Sequence, residues 1–226
     1  MRKFALIGYP VAHSGSPALF NELCPGAGSY ELVETPSFEE AWERFIREFD
    51  GINITAPFKE LAFRKAAAEA DACGRPWLIA DEVRLTGAAN IAVKCRDGIR
   101  LHNSDFLGVR KLLTEHCSGF RTAAVIGTGG AGKAAADAAG SIGMEVNSFH
   151  HDEISGGVEA DVIIYTLPRR VEGADRLACR VLLEANYHDP AFSAGTLAAR
   201  NIVYVPGKEW LRAQAEEGYP LLTESI

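Results

Sequence analysis

Short apolar runs bounded by glycine, proline or asparagine alternate along this chain with longer segments in which apolar residues recur every three to four positions. The short runs fit buried strands and the longer periods fit helices packed on them, so the pattern predicts βαβ units and a parallel sheet. Phe4 to Ile7 is the first predicted strand. Ser16-Pro17 then opens a helix, with the serine as cap and proline at the first position. Tyr30 to Val33 is a second strand. Ser37 and Glu40 form a capping-box signal ahead of Ala41, Trp42, Phe45 and Ile46, which share one helix face. Ile52 to Thr55 is a third strand, and Pro57 begins a helix reaching about Ala72. Ala89 to Cys95 predicts a hairpin through Arg96-Asp97-Gly98 into Ile99 to His102.

From Asp105 a predicted helix runs to about His116, followed by a strand at Ala123 to Ile126, a glycine-rich turn and an alanine-rich helix, Lys133 to Ile142. Strands are expected at Glu145 to Phe149 and Val162 to Tyr165, near and before Tyr187, and at Ile202 to Tyr204. Gly207 to Glu217 is the last helix. There is no internal repeat and no low-complexity tract. The expected class is α/β: an N-terminal α/β domain over residues 1–103 and a Rossmann-like domain over 104–206, with the terminal helix in 207–226 packing back on the first.

Composition narrows the classes of function. With 226 residues, 47% of them hydrophobic and 23% charged, the chain can bury a core without disulfide staples. Its formal net charge of −7 repels phosphate backbones and anionic membranes, so no nucleic-acid or membrane partner is expected. The apolar run before Gly8 is too short for a signal peptide, and no stretch approaches the ~20 apolar residues of a membrane helix. Cys24, Cys73, Cys95, Cys117 and Cys179 are dispersed without metal-ligand spacing, which predicts free thiols in a reducing cytoplasm and no metal.

Chemistry concentrates first at Gly127, Gly129 and Gly132, in G-x-G-x-x-G spacing between a strand and a helix. Gly127 permits the tight turn, Gly129 lets a pyrophosphate approach the backbone, and Gly132 allows close helix–strand packing. The alternative is a packing turn with no ligand. The same residues spell G-x-x-x-x-G-K, but Ala134 stands where a P-loop needs a hydroxyl for magnesium, so an NTPase is rejected. His150-His151-Asp152 ends the next strand. There Asp152 suits the ribose hydroxyls of NAD, protonated histidines suit a 2′-phosphate, and solvated loop residues are the third alternative.

Three further runs gather polar groups at turns: G-Y-P-V-A-H-S-G-S-P with Ser14 and Ser16, N-I-T-A-P-F-K with Asn53, Thr55 and Lys59, and H-N-S-D-F-L-G with Asp105. Singly each fits a helix cap or a surface position. Together with Gly87-Ala88-Ala89-Asn90, the turn Gly127 to Ala131, Tyr187 and the segment Gly207 to Gln214, their order and spacing resemble the shikimate dehydrogenase family along nearly the whole chain. The resemblance implies reversible, NADPH-dependent reduction of 3-dehydroshikimate to shikimate in aromatic amino-acid biosynthesis; a cytoplasmic monomer or homodimer is expected. It implies a catalytic pair, Lys59 and Asp105: hydride delivered to a ketone leaves an alkoxide that an ammonium stabilises and protonates. It places Ser14, Ser16, Asn53, Thr55, Asn90, Tyr187 and Gln214 around the substrate. Gly127, Gly129, Gly130, Ala131, Gly132, His150, His151, Asp152 and Thr166 fall on the cofactor side, and Trp210 and Gln214 are expected to face the cleft.

Departures from the family pattern cluster on the cofactor side. His150-His151-Asp152 aligns with an N-R-T motif, so the arginine that clamps the 2′-phosphate is absent and NAD becomes an alternative to NADP. Tyr165-Thr166-Leu167-Pro168 aligns with N-T-T-P, and the segment after it is short. Glu184 stands in an altered context before Tyr187. A quinate-type dehydrogenase and a ligand-binding pseudoenzyme are the competing readings.

Overall fold

A computed structural model describes residues 1–72 and 77–224, so Cys73 lies outside the described residues. The chain forms two compact units, Met1–Ser104 with Ala215–Ile226, and Asp105–Gln214. No helix among the described residues is long and apolar enough to cross a membrane.

In the first unit, β1 (Lys3–Gly8), α1 (Ser16–Leu23), β2 (Ser29–Glu34), α2 (Phe38–Glu48), β3 (Gly51–Ile54) and α3 (Lys59–Ala72) lead into β4 (Trp77–Ile79), α4 (Asp81–Thr86), β5 (Ile91–Cys95) and β6 (Gly98–His102). The described strands form a sheet in the order β2-β1-β3-β5-β6-β4. It is mixed rather than parallel throughout, because the β5–β6 hairpin turns the chain back and sets β5 antiparallel to both β3 and β6. The two-residue period of β1 divides the core: Ala5 and Ile7 join Trp42, Phe45, Ile52 and Phe58 on one face, while Phe4 joins Phe20, Ile91, Tyr219 and Leu222 on the other.

The start of α2 carries a side-chain cap, and two helix starts differ from expectation. Ser37 accepts from the Glu40 N–H at 3.2 Å, but the Glu40 carboxylate takes the Thr35 hydroxyl instead of closing the box. Ser16 is the first residue of α1, not its cap; the hydroxyl of Ser14 accepts from the Ser16 N–H at 3.2 Å. Ile46 lies off the buried face of α2 and is 42% exposed.

The second unit contains most of α5 (Ser104–His116), then β7 (Thr122–Ile126), α6 (Gly130–Ser141), β8 (Glu145–Phe149), β9 (Val162–Tyr165), β10 (Val181–Glu184), α7 (Ala194–Ala198), β11 (Val203–Val205) and the first part of α8 (Gly207–Thr223). Its strands are all parallel, in the order β11-β10-β9-β7-β8. The order reverses beside β7, with β8 on one side and β9 on the other, which defines a crevice outside the carboxyl ends of β7 and β9. The buried alanines of α6 let that helix lie close against β7. α6 begins at Gly130 rather than Lys133, so the later glycines of the turn, Gly130 and Gly132, lie in the first turn of the helix.

Candidate active site

A line of hydroxyls crosses the first unit. The Ser14 hydroxyl donates to Ser16 Oγ at 2.9 Å, the Ser16 hydroxyl bonds to the Tyr30 phenol, and that phenol donates to Asn53 Oδ1 at 2.7 Å. Tyr219 donates to the Ser16 carbonyl at 3.2 Å. Burial pushes Tyr30 well above the usual tyrosine range and Tyr219 up to about 12, so both stay neutral donors. Thr55 follows β3, and a Cβ on Gly8 would fall 2.4 Å from its methyl group, so this glycine lets the two strand ends approach. Tyr30 and Tyr219 were not singled out in the sequence. Their role depends on the register that sets Tyr30 opposite Phe4 and Asn53 opposite Leu6, and on α8 bringing Tyr219 back to α1.

Lys59, half-buried, is the first residue of α3, and its carbonyl accepts from the Ala89 N–H at 3.0 Å. The segment Gly87 to Asn90 is thereby hydrogen-bonded to the start of that helix. Gly87 ends α4 with φ +65°, and the Asn103 amide donates to Thr86 Oγ1 and to the Ala88 carbonyl, both at 3.0 Å. Asn90, 7% exposed, takes the Ser104 N–H on Oδ1 at 2.7 Å and donates to Ser104 Oγ at 3.0 Å. Asn90 is thus bound to the start of α5.

In the second unit Asp105 stands in the first turn of α5, where the helix dipole favours a carboxylate, and is 6% exposed. Its Oδ1 accepts from Gln214 Nε2 at 2.8 Å. Gly108 makes this pair possible: a Cβ there would lie 2.8 Å from the Gln214 backbone nitrogen and 2.9 Å from its Cγ. Trp210, expected in the cleft, is instead 3% exposed in the core with Phe106, Val109 and Leu183. Tyr187 is half-buried on the loop after β10. Glu184 organises that loop from complete burial, accepting from the Ala191 N–H and the Tyr204 hydroxyl, each at 2.5 Å. A Cβ on Gly207 would fall 2.3 Å from the Asn186 carbonyl, so the start of α8 packs directly on the Tyr187 loop.

The glycines after β7 divide by function. Gly127 has φ +110°, donates to the Phe149 carbonyl at 2.9 Å, and would place a Cβ 2.4 Å from the Thr166 hydroxyl. A Cβ on Gly132 would sit 1.9 Å from the Gly127 carbonyl. These two are demanded by the turn itself. Gly129 and Gly130 face open space, with nothing within 4 Å of a Cβ, and Ala131 follows them in the first turn of α6, which has no side-chain cap. Thr166 donates to the Ile126 carbonyl at 3.0 Å. Because Ile126 pairs with Phe149, His150, His151 and Asp152 follow immediately beside this turn. All three are exposed. His150 Nδ1 lies 2.7 Å from Asp152 Oδ1, a bond that holds the Asp152 carboxyl below its usual range.

These two units, a mixed-sheet unit followed by a parallel sheet with a glycine turn at its point of reversal, define the fold of the shikimate dehydrogenases. The shikimate 5-dehydrogenase of Thermus thermophilus, solved in complex with NADP(H) and shikimate, superposes with a TM-score of 0.79 at 23% identity, covering 100% of this chain and 95% of that one. The Mycobacterium tuberculosis shikimate dehydrogenase gives 0.76 at 23% identity over 100% and 94% of the two chains. In sequence, residues 6–75 match the shikimate dehydrogenase substrate binding domain. The shikimate dehydrogenase of Thermotoga petrophila is 36% identical over 137 residues, 58% of this chain and 48% of that protein. The shikimate dehydrogenase (NADP(+)) of Thermus thermophilus is 34% identical over 152 residues, 65% and 54% of the two. The resemblance to the shikimate dehydrogenase family therefore holds in sequence and in fold, and the chain spans about half the length of the curated relatives it matches.

Proposed function

We propose that this chain is a shikimate dehydrogenase that uses NADP, reducing the ketone of 3-dehydroshikimate to the alcohol of shikimate. The unit Met1–Ser104 with Ala215–Ile226 supplies most of the substrate-binding residues, and Asp105–Gln214 supplies the dinucleotide-binding turn together with Asp105, Tyr187 and Gln214. The observation that carries this reading is the Asp105–Gln214 hydrogen bond: two residues 109 positions apart, both implied by the resemblance, meet at 2.8 Å over a glycine that leaves room for them.

The turn fits a dinucleotide, since the space a side chain would fill at Gly129 and Gly130 is open beside uncapped helix N–H groups. A bound nicotinamide dinucleotide supplies hydride. Gly127 to Gly132 and Thr166 hold its pyrophosphate end, and His150 to Asp152 its adenosine ribose. The Lys59 ammonium stabilises the charge that grows on the ketone oxygen and protonates it. Asp105 accepts from a substrate hydroxyl while Gln214 fixes the rotamer of its carboxylate. Ser14, Ser16, Asn53, Thr55, Asn90 and Tyr187 supply the neutral donors and acceptors that a polyhydroxy carboxylate needs.

Asp152 favours a ribose diol over a phosphate dianion, which keeps NAD as the second reading of the cofactor. The test is oxidation of NADPH and of NADH by the full chain with 3-dehydroshikimate, beside calorimetric titration of shikimate. Turnover with either cofactor supports a dehydrogenase. Shikimate binding without turnover replaces it by a ligand-binding protein, and failure of both removes the reading.

A further inference from the structure

We propose that His150, His151 and Asp152 bind a divalent transition-metal ion of the zinc class, and that the ion's open coordination position takes the 2′-phosphate of a dinucleotide seated on the adjacent glycine turn. One ligand atom from each residue, two imidazole nitrogens and a carboxylate oxygen, lies within 4.8 Å of the others. This nitrogen and oxygen set suits Zn²⁺, which needs ligands at ~2.0–2.2 Å, and all three side chains are exposed.

The turn that carries them is built in advance. The His150 N–H donates to Glu153 Oε2 at 2.6 Å, the Glu153 N–H returns to the His150 carbonyl at 3.1 Å, and the two imidazole rings lie 4.3 Å apart. Three protein ligands leave a fourth tetrahedral position free for an external anion. The location gives that position a use. Phe149, the residue before His150, receives the Gly127 N–H at 2.9 Å, so the metal ligands begin one residue from the contact that anchors the glycine turn.

Electrostatics favours the same arrangement. Without a metal, Asp152 and Glu153 place two negative charges where a phosphate dianion would bind, and no arginine stands in the turn to offset them. A dication cancels both and adds a direct bond to a phosphate oxygen. The phosphate half of the proposal rests on the cofactor reading above, whereas the metal half does not.

The experiment is calorimetric titration of the full chain with Zn²⁺ after EDTA treatment, followed by titration with adenosine 2′,5′-bisphosphate and with AMP in zinc-loaded and EDTA-treated protein. One zinc per chain is expected in the micromolar range, with His150→Ala and His151→Ala each weakening it at least about tenfold and leaving the circular dichroism spectrum unchanged. Zinc should tighten the bisphosphate at least about tenfold and leave AMP unaffected. Absence of micromolar zinc binding, or wild-type zinc affinity in both histidine variants, overturns the metal site. Normal zinc binding with no gain for the bisphosphate overturns the phosphate ligand. If neither nucleotide binds in either state, the cofactor reading fails with the phosphate half, and the zinc titration still decides the site.

Discussion

In the proposed reaction Lys59 and Tyr30 contribute in two different ways. Lys59 is assigned to charge that develops only in the transition state, so Lys59→Ala is expected to lower kcat by ~10²–10⁴ while shikimate affinity stays within a few-fold. Tyr30 passes a hydrogen bond to Asn53 at 2.7 Å and has no reacting atom to serve. Tyr30→Phe should weaken shikimate by about three- to tenfold, the worth of about 1 kcal/mol, with kcat little changed. Steady-state kinetics and calorimetry on both variants check the contrast; a Tyr30→Phe loss confined to kcat would contradict it. The polar side chains of the motifs were legible in the sequence because hydroxyls, amides, a lysine and an aspartate cluster at strand and helix ends. Tyr30, Tyr219 and Trp210 were not, since an aromatic residue carries no mark in the sequence of whether it faces a polar line or the core.

At the scale of elements, glycines separate positions that the fold needs from positions that the proposed cofactor needs. Gly127→Ala meets both a φ of +110° and the Thr166 hydroxyl at 2.4 Å, so it should cost about 1–3 kcal/mol in stability. Gly129→Val meets open space and an ordinary extended backbone, so its melting temperature should match wild type while NADPH binding is lost. Thermal melts and NADPH fluorescence on both variants test this, and undiminished affinity in Gly129→Val would mark the turn as packing alone. Gly108→Ala should act differently again, forcing α8 away and breaking the Asp105–Gln214 bond, seen as a fall in kcat/KM out of proportion to the loss of stability. Most strands and helices were readable from their periods. β4 and α4, of three and six residues, were too short to show one, and the antiparallel β5 follows from a hairpin whose partner strand in the sheet only the tertiary fold selects.

Across the whole molecule, stability should form a plateau bounded by two sets of ionisable groups. Glu34 is held below the usual carboxylate range by the Val11 and Ala12 N–H groups, each at 2.7 Å, and Asp161 by those of Arg121 and Thr122 at 3.0 and 3.1 Å. Lowered folded-state values mean that their stabilisation is complete above ~pH 4 and lost as pH falls through those values. At the other end burial raises Tyr30 and Tyr219, the latter to about 12, so their stabilisation is complete below ~pH 10 and lost as pH rises beyond it. Melting temperature measured from pH 3 to 11 should be flat near neutrality and fall at both ends, with a rise below pH 4 contradicting the acid limb.

The division of the chain also sets an order in time. Asp105–Gln214 is one continuous stretch, whereas the other unit is complete only when Ala215 onward has been made. During synthesis Phe4, Phe20 and Ile91 are translated first and wait, uncovered, for Tyr219 and Leu222, which are buried against them only at the end. A nascent chain halted after Gln214 should therefore present a sticky apolar face to chaperones and proteases. Limited proteolysis of such a truncated chain is expected to cut residues 1–104 well before 105–214, and equal cutting of both would show that the early segment does not depend on the late one.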